Sequence, residues 1–169
     1  AIIEFEPQLE SIDLSKNTEL TYLSLQGNTK ANGKLTTLDL TNNTKLNGMG
    51  LFVQYNQLTE VKLPECGLTT INVQNNKLTA IDLTKVQSLK SLYASNNQLE
   101  GEIDLSAHTN MEYVQVNNNQ LTSVKVGNAT KQFYVDGNKL TLATIPAQPA
   151  GLNTASKTRK FTYAPQAIA

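Results

Sequence analysis

The feature that most constrains this chain is a short repeat. Against the template L-x-x-L-x-L-x-x-N-x-L, the chain shows LTYLSLQGN (20–28), TTINVQNNKL (69–78), LKSLYASNNQL (89–99) and MEYVQVNNNQL (111–121), with weaker copies GLFVQYNQL (50–58) and QFYVDGNKL (132–140). The asparagines closing these units are Asn28, Asn56, Asn76, Asn97, Asn119 and Asn138, at successive separations of 28, 20, 21, 22 and 19 residues. Between them lie segments of a second kind: SIDLSKNTEL (11–20), TLDLTNNTKL (37–46), EVKLPECGL (60–68), AIDLTKVQSL (80–89), EIDLSAHTNM (102–111) and SVKVGNA (123–129). One full repeat of about 21 residues therefore holds one strand-like segment of each kind.

A unit this small cannot bury its own apolar face. Its apolar residues alternate, as in Val114 and Val116, which is the pattern of a short strand with one side inward. Stacking neighbours in parallel solves the problem and predicts a right-handed coil around a continuous Leu/Ile/Val interior. The expectation is a β-rich solenoid of about six repeats with little helix, its first-kind segments forming a parallel sheet on the concave face. The recurrent asparagine stands where the chain leaves the strand. Its amide both donates and accepts, so it can satisfy turn groups on adjacent coils that no strand partner reaches, and a ladder of asparagines is expected.

Composition agrees and removes several function classes. The 23 Leu, 20 Thr and 19 Asn make 62 of 169 residues, the mark of one motif used many times. Fourteen basic side chains balance fourteen acidic ones, so no net field recruits nucleic acid or an anionic membrane. No apolar run approaches the roughly 18 residues of a membrane span, so no membrane insertion of this segment is expected. The opening AIIEFEPQ lacks a basic stretch followed by a long apolar core, so no signal peptide is visible in it. Cys66 is the single cysteine and His108 the single histidine, which excludes an internal disulfide and multi-cysteine metal centres. No phosphate-binding glycine loop, nucleophile elbow or HExxH occurs, and no enzyme activity, cofactor or metal is expected.

The NNQLTxIDLSxxxxL cycle, present at 75–83 as NNKLTAIDL and at 96–105 with one inserted residue, resembles the internalin-like repeat of about 21 residues in bacterial cell-surface leucine-rich repeat proteins, as in surface proteins of Gram-negative gut anaerobes. The resemblance covers about residues 9–142 and implies a leucine-rich repeat solenoid acting as a secreted or surface-displayed recognition module. It implies an extracellular or cell-surface location but no particular ligand. FTYAPQ (161–166) resembles the segment that ends such arrays and leads into further domains, so flanking domains are implied as well.

On this reading residues 1–143 are the repeat array with a short N-terminal cap, and 144–169 form a C-terminal cap or linker. The long interval after Asn28 holds NTKANGK (28–34) and NGMG (47–50), both with Asn-Gly, read as loops bulging from the coil. TIPAQPAGLNTASKTRK (144–160) loses the repeat and is suited to covering the open edge of the last strand.

With the Leu/Ile/Val positions inward, the intervening first-kind positions make the exposed sheet: Tyr22/Ser24/Gln26, Gly50/Phe52/Gln54, Thr70/Asn72/Gln74, Ser91/Tyr93/Ser95, Tyr113/Gln115/Asn117 and Gln132/Tyr134/Asp136. Five of the 18 are aromatic where the chain's 6% aromatic content predicts about one, and Asp136 is the only charge. Tyr22, Phe52, Gln54, Gln74, Tyr93, Tyr113, Gln115, Tyr134 and Asp136 are the candidate ligand-binding residues, for a protein or a glycan. Aromatic faces pack on sugar C–H groups or supply contact area to proteins, while amides take the polar groups of either. The same residues favour an exposed sheet for stability alone, which leaves a rigid structural spacer in a larger surface protein as the alternative. The second-kind acids Asp13, Asp39, Asp82 and Asp104, with Lys62 and Lys125 at equivalent positions, read as charge pairs between coils rather than a calcium ladder. Cys66 and His108 fall where other units carry Asn17 and Asn43 and read as ladder substitutes filling a turn pocket.

Overall fold

A computed structural model describes residues 8–27, 33–150, 152 and 160–166. Asn28, most of the NTKANGK insertion, the AIIEFEP head and residues 153–159 of the tail lie outside the described residues.

The chain winds as a solenoid whose strands all pair in parallel, and the described residues contain no helix. The first-kind segments supply β1 (Leu23–Ser24), β4 (Leu51–Phe52), β7 (Thr70–Asn72), β8 (Ser91–Tyr93), β10 (Tyr113–Gln115) and β12 (Gln132–Tyr134). They lie side by side in that order. A seventh strand, β13 (Lys160–Thr162), pairs with β12 through Gln132↔Lys160 and Tyr134↔Thr162.

The second-kind segments are strands only in places. β2 (Thr37–Asp39) pairs with β5 (Glu60–Lys62), and β9 (Glu100–Asp104) pairs with β11 (Gln120–Lys125). Residues 11–13 and 80–82 have the same sequence pattern but are extended without ladder partners. Beside the 80–82 segment the next coil is one residue longer: Gly101 sits at φ +72°, and the β9–β11 register slips between Leu121 and Ser123. A slip of one residue takes neighbouring backbone groups out of reach of one another. NGMG also departs from its reading as a free loop: Asn47–Gly48 form β3, paired with β6 (Gly67–Leu68), while Met49 projects into solvent.

The interior is built of columns, one residue per coil. Leu23, Leu51, Ile71, Leu92, Val114 and Phe133 form one; Leu25, Val53, Val73, Ala94, Val116 and Val135 the next; Leu58, Leu78, Leu99, Leu121 and Leu140 a third, all buried. Alternation along each strand places the first two columns on the same side of the sheet.

At the end of each first-kind strand stands the asparagine ladder. Asn56, Asn76, Asn97, Asn119 and Asn138 are buried. Each Nδ2 donates to the carbonyl three residues earlier in its own coil at 2.9–3.2 Å. It also donates to the equivalent carbonyl of the preceding coil at 2.7–3.1 Å. Each Oδ1 accepts the backbone N–H of a leucine in the preceding coil, Leu35, Leu58, Leu78, Leu99 or Leu121, at 2.9–3.3 Å.

The tail adds a rung that the repeat template does not show. Gln166 accepts the Leu140 N–H at 3.2 Å and donates to the Val135 carbonyl at 3.1 Å and to the Tyr163 carbonyl. Those are the bonds an asparagine makes in every earlier coil, now made by glutamine.

Replacing a mid-array rung strands one buried backbone N–H and weakens the bonding of two carbonyls. Asn97→Ala leaves the buried Leu78 N–H without its side-chain partner, at about 1–3 kcal/mol, and removes one of the two amide donors on each of the Val73 and Ala94 carbonyls, which keep Asn76 and Asn119, at about 1 kcal/mol apiece. A loss of roughly 3 kcal/mol or more in urea unfolding is expected, against roughly 1 kcal/mol for Gln166→Ala at the array's end. Equal losses for the two variants would refute the ladder's graded role.

Candidate functional site

The register of the seven-stranded sheet sorts its outward positions into rows. Ser24, Phe52, Asn72, Tyr93, Gln115, Tyr134 and Thr162 are successive partners across the strands. Two residues before them run Thr70, Ser91, Tyr113 and Gln132. Tyr93 and Tyr134 therefore share a row with Gln115 between them, and Tyr113 stands in the adjacent row. Successive coils carry Tyr93, Tyr113 and Tyr134, yet the register staggers them instead of lining them up.

Tyr22, Phe52, Gln74, Tyr93, Tyr113, Gln115, Tyr134 and Asp136 are partly buried, with their side chains on the outer side of the sheet. Tyr22 and Phe52 meet as a tilted ring pair, centroids 6.0 Å apart at 41°. Gln54 differs: it is buried, its Nε2 donating to the Gln26 Oε1 and its own Oε1 left without a partner. Its amide folds flat along the sheet toward the neighbouring coil. Ser24, Thr70, Ser91 and Ser95 are buried as well, short side chains overshadowed by larger neighbours one strand away.

The polar ends of the central aromatics are unspent. Among the described residues, the Tyr93, Tyr113 and Tyr134 hydroxyls and the Gln115 and Asn117 amides have no intramolecular hydrogen-bond partner. Burial pushes the Tyr134 phenol up from its ordinary value. Asp136 is already engaged, accepting the Thr162 hydroxyl at 2.6 Å, so the acid on this face is tied to the tail strand.

On the opposite side the recurrent aspartates act locally. Asp39, Asp82 and Asp104 each accept both the backbone N–H and the hydroxyl of the residue two further on, Thr41, Thr84 or Ser106, and Asp13 accepts the Ser15 N–H. These bonds hold all four carboxyls below the usual carboxylate range. Pairing between coils is secondary: Lys62 reaches Asp39 only at 4.0 Å, and Lys125 binds Glu102 at 3.1 Å rather than Asp104. Turn geometry thus accounts for the recurring acid better than the charge pairing read from sequence. No cluster of metal-ligating side chains occurs among the described residues.

His108 is buried, its Nε2 2.9 Å from the Leu83 carbonyl of the preceding coil, as Asn43 Nδ2 lies 3.1 Å from the Leu14 carbonyl. Cys66 is partly buried, and burial raises its thiol's pKa, which disfavours the nucleophilic thiolate.

One residue escaped the motif analysis. The position before each ladder asparagine is left-handed: Asn75, Asn96 and Asn118 at φ 56° and Gly137 at 65°, but also Tyr55 at 60°. Asparagine and glycine visit this region readily, whereas a bulky side chain there costs on the order of 1 kcal/mol or more. Aligning the columns exposes Tyr55 as the odd member even without coordinates.

A sequence profile of the Leucine Rich Repeat family matches residues 88–108. Among solved structures, the functional domain of InlJ from Listeria monocytogenes, which includes a cysteine ladder, aligns with a TM-score of 0.55 at 23% identity. The alignment covers 79% of this chain and 34% of that one, so this chain spans about a third of its neighbour's length. No curated protein matches by sequence. The fold is that of a leucine-rich repeat solenoid.

The aspartate turns give the protein an acid limb. A carboxyl whose pKa is lowered on folding contributes stability that is fully present above its unfolded value, near 3.8, and is lost as pH falls through the lower folded value. Stability is expected to hold down to about pH 5 and then decline, and the Asp39→Asn/Asp82→Asn variant is expected to show a shallower decline from a lower starting point. Thermal unfolding across that range checks it; parallel pH profiles would contradict the turn's electrostatic role.

Proposed function

We propose that this chain is a non-enzymatic recognition module that engages a macromolecular ligand, best matched by a protein surface, across its seven-stranded sheet. The observation that carries the reading is the set of unspent polar ends on Tyr93, Tyr113, Gln115 and Tyr134, each on a partly buried side chain held by neighbouring coils. Such side chains bring large contact area at low conformational cost and offer donors and acceptors that folding has not consumed. Staggering over two rows gives a patch two-dimensional in extent, which suits a protein face better than a single extended chain.

The leucine-rich repeat fold supports the reading, since stacked coils make broad, rigid binding surfaces. Sheet charge does not compete with it: Asp136, the lone acid, is bonded to Thr162. An extracellular or surface setting, with further domains beside this one, fits the same role and belongs to the proposal. The spacer reading differs in one respect, that nothing binds the sheet.

Capture from a display library of extracellular proteins, run with the wild type and with Tyr93→Ala/Tyr113→Ala, separates the two. Loss of about tenfold or more in affinity is expected in the variant, with its unfolding midpoint within a few degrees of wild type because both side chains lie on the sheet surface. Undiminished binding by the variant would sink the sheet as the site. A wild type that captures nothing favours the spacer.

A further inference from the structure

Beside the sheet, at the turn where the coils leave it, lies a cleft of about 380 Å³ bordered by Tyr55, Gln57, Asn75, Lys77 and Asn96. That size falls in the range of roughly 300–1,000 Å³ usual for small-ligand sites. We infer that this cleft is a carbohydrate subsite, with the Tyr55 ring packing on the face of a sugar and the Asn75 and Asn96 amides taking its hydroxyls.

The left-handed column makes the argument. Five successive coils place Tyr55, Asn75, Asn96, Asn118 and Gly137 at one position, each with positive φ. Backbone bonds from the Tyr55, Asn75, Asn96 and Asn118 N–H groups to the next coil, at 2.9–3.1 Å, lock the column in place. Asparagine satisfies that conformation at little cost, and the chain uses it three times running. At the first position of the column it holds a partly buried tyrosine instead, keeping a strained backbone where the unstrained solution stands on the adjacent coil. Strain retained against an available remedy is a signature of a functional side chain.

The neighbouring chemistry selects the ligand. The Asn75 amide has no hydrogen-bond partner among the described residues, and Asn96 spends only its Oδ1, accepting from Asn118 Nδ2 at 3.1 Å. Its Nδ2 is free. Amides about one strand spacing apart, near 4.8 Å, offer paired donors and acceptors at a separation suited to adjacent ring hydroxyls. Lys77 is the only charged side chain bordering the cleft, so it carries no carboxylate for an amine or a metal. An aromatic face flanked by neutral amides is the chemistry that recognises a pyranose. The sheet patch proposed above is separate, and each can fail without the other.

The test is a titration of the whole chain with hexasaccharides of glucose, mannose, N-acetylglucosamine and galacturonate, followed by saturation-transfer NMR and calorimetry. At least one is expected to bind, and Tyr55→Asn and Asn75→Ala are each expected to weaken it about tenfold or more, while Tyr93→Ala/Tyr113→Ala leaves it unchanged. Tyr55→Asn installs the residue of three sister coils, so it folds, and its unfolding midpoint is expected to rise as the strain is released. Four outcomes overturn the inference: no hexasaccharide binds, binding survives in Tyr55→Asn, binding is lost only in the sheet variant, or Tyr55→Asn lowers the midpoint.

Discussion

The structure rests on one side chain doing two jobs at one turn. Each ladder asparagine holds its own coil closed through the carbonyl three residues back and fastens that coil to the one before it. The job needs an amide, because both a donor and an acceptor must reach backbone groups that have turned out of the sheet and can find no strand partner. The buried leucine columns supply the bulk of the stability, but they are non-directional and would tolerate coils sliding over one another. The asparagine fixes the register in which they stack.

From that register the surface follows. Fixing the turn forces the preceding residue into left-handed geometry on the five coils whose ladder asparagine is described, which explains the asparagines at 75, 96 and 118 and isolates Tyr55 as the exception. It also decides which outward residues are neighbours, so that Gln115 separates Tyr93 from Tyr134 and Tyr113 stands one row aside. The tail obeys the same constraint. β13 adds to the sheet and Gln166 bonds as a rung, so the ladder continues past the last recognisable repeat.

Much of this was legible because a repeat reports its own rules many times over. The columns of buried leucines, the ladder and the parallel sheet all recur at one period, and recurrence separates signal from composition. Where only one copy exists, the sequence is silent. Gln166 follows no template leucines, and its partners Leu140 and Val135 are some 26 and 31 residues away. The aspartates were visible as a pattern, but their nearest partners were not: a carboxylate beside a lysine on the next coil suggests an ion pair, present only at 4.0 Å between Lys62 and Asp39, whereas the hydroxyl two residues further on bonds it at 2.6–2.7 Å.

The sequence by itself determined the period, the inward faces, the ladder positions and the absence of a second cysteine or histidine with which Cys66 or His108 could form a like pair, since these depend on residue identity and local spacing. Only the tertiary structure decided that Gln54 folds into the sheet, that Asp136 is spent on Thr162, that β13 and Gln166 extend the array, and that residues 80–82 lack the pairing their sequence allows. Those outcomes turn on single-residue shifts between coils, and a shift of one residue moves a side chain to a different neighbour without altering the pattern along the chain.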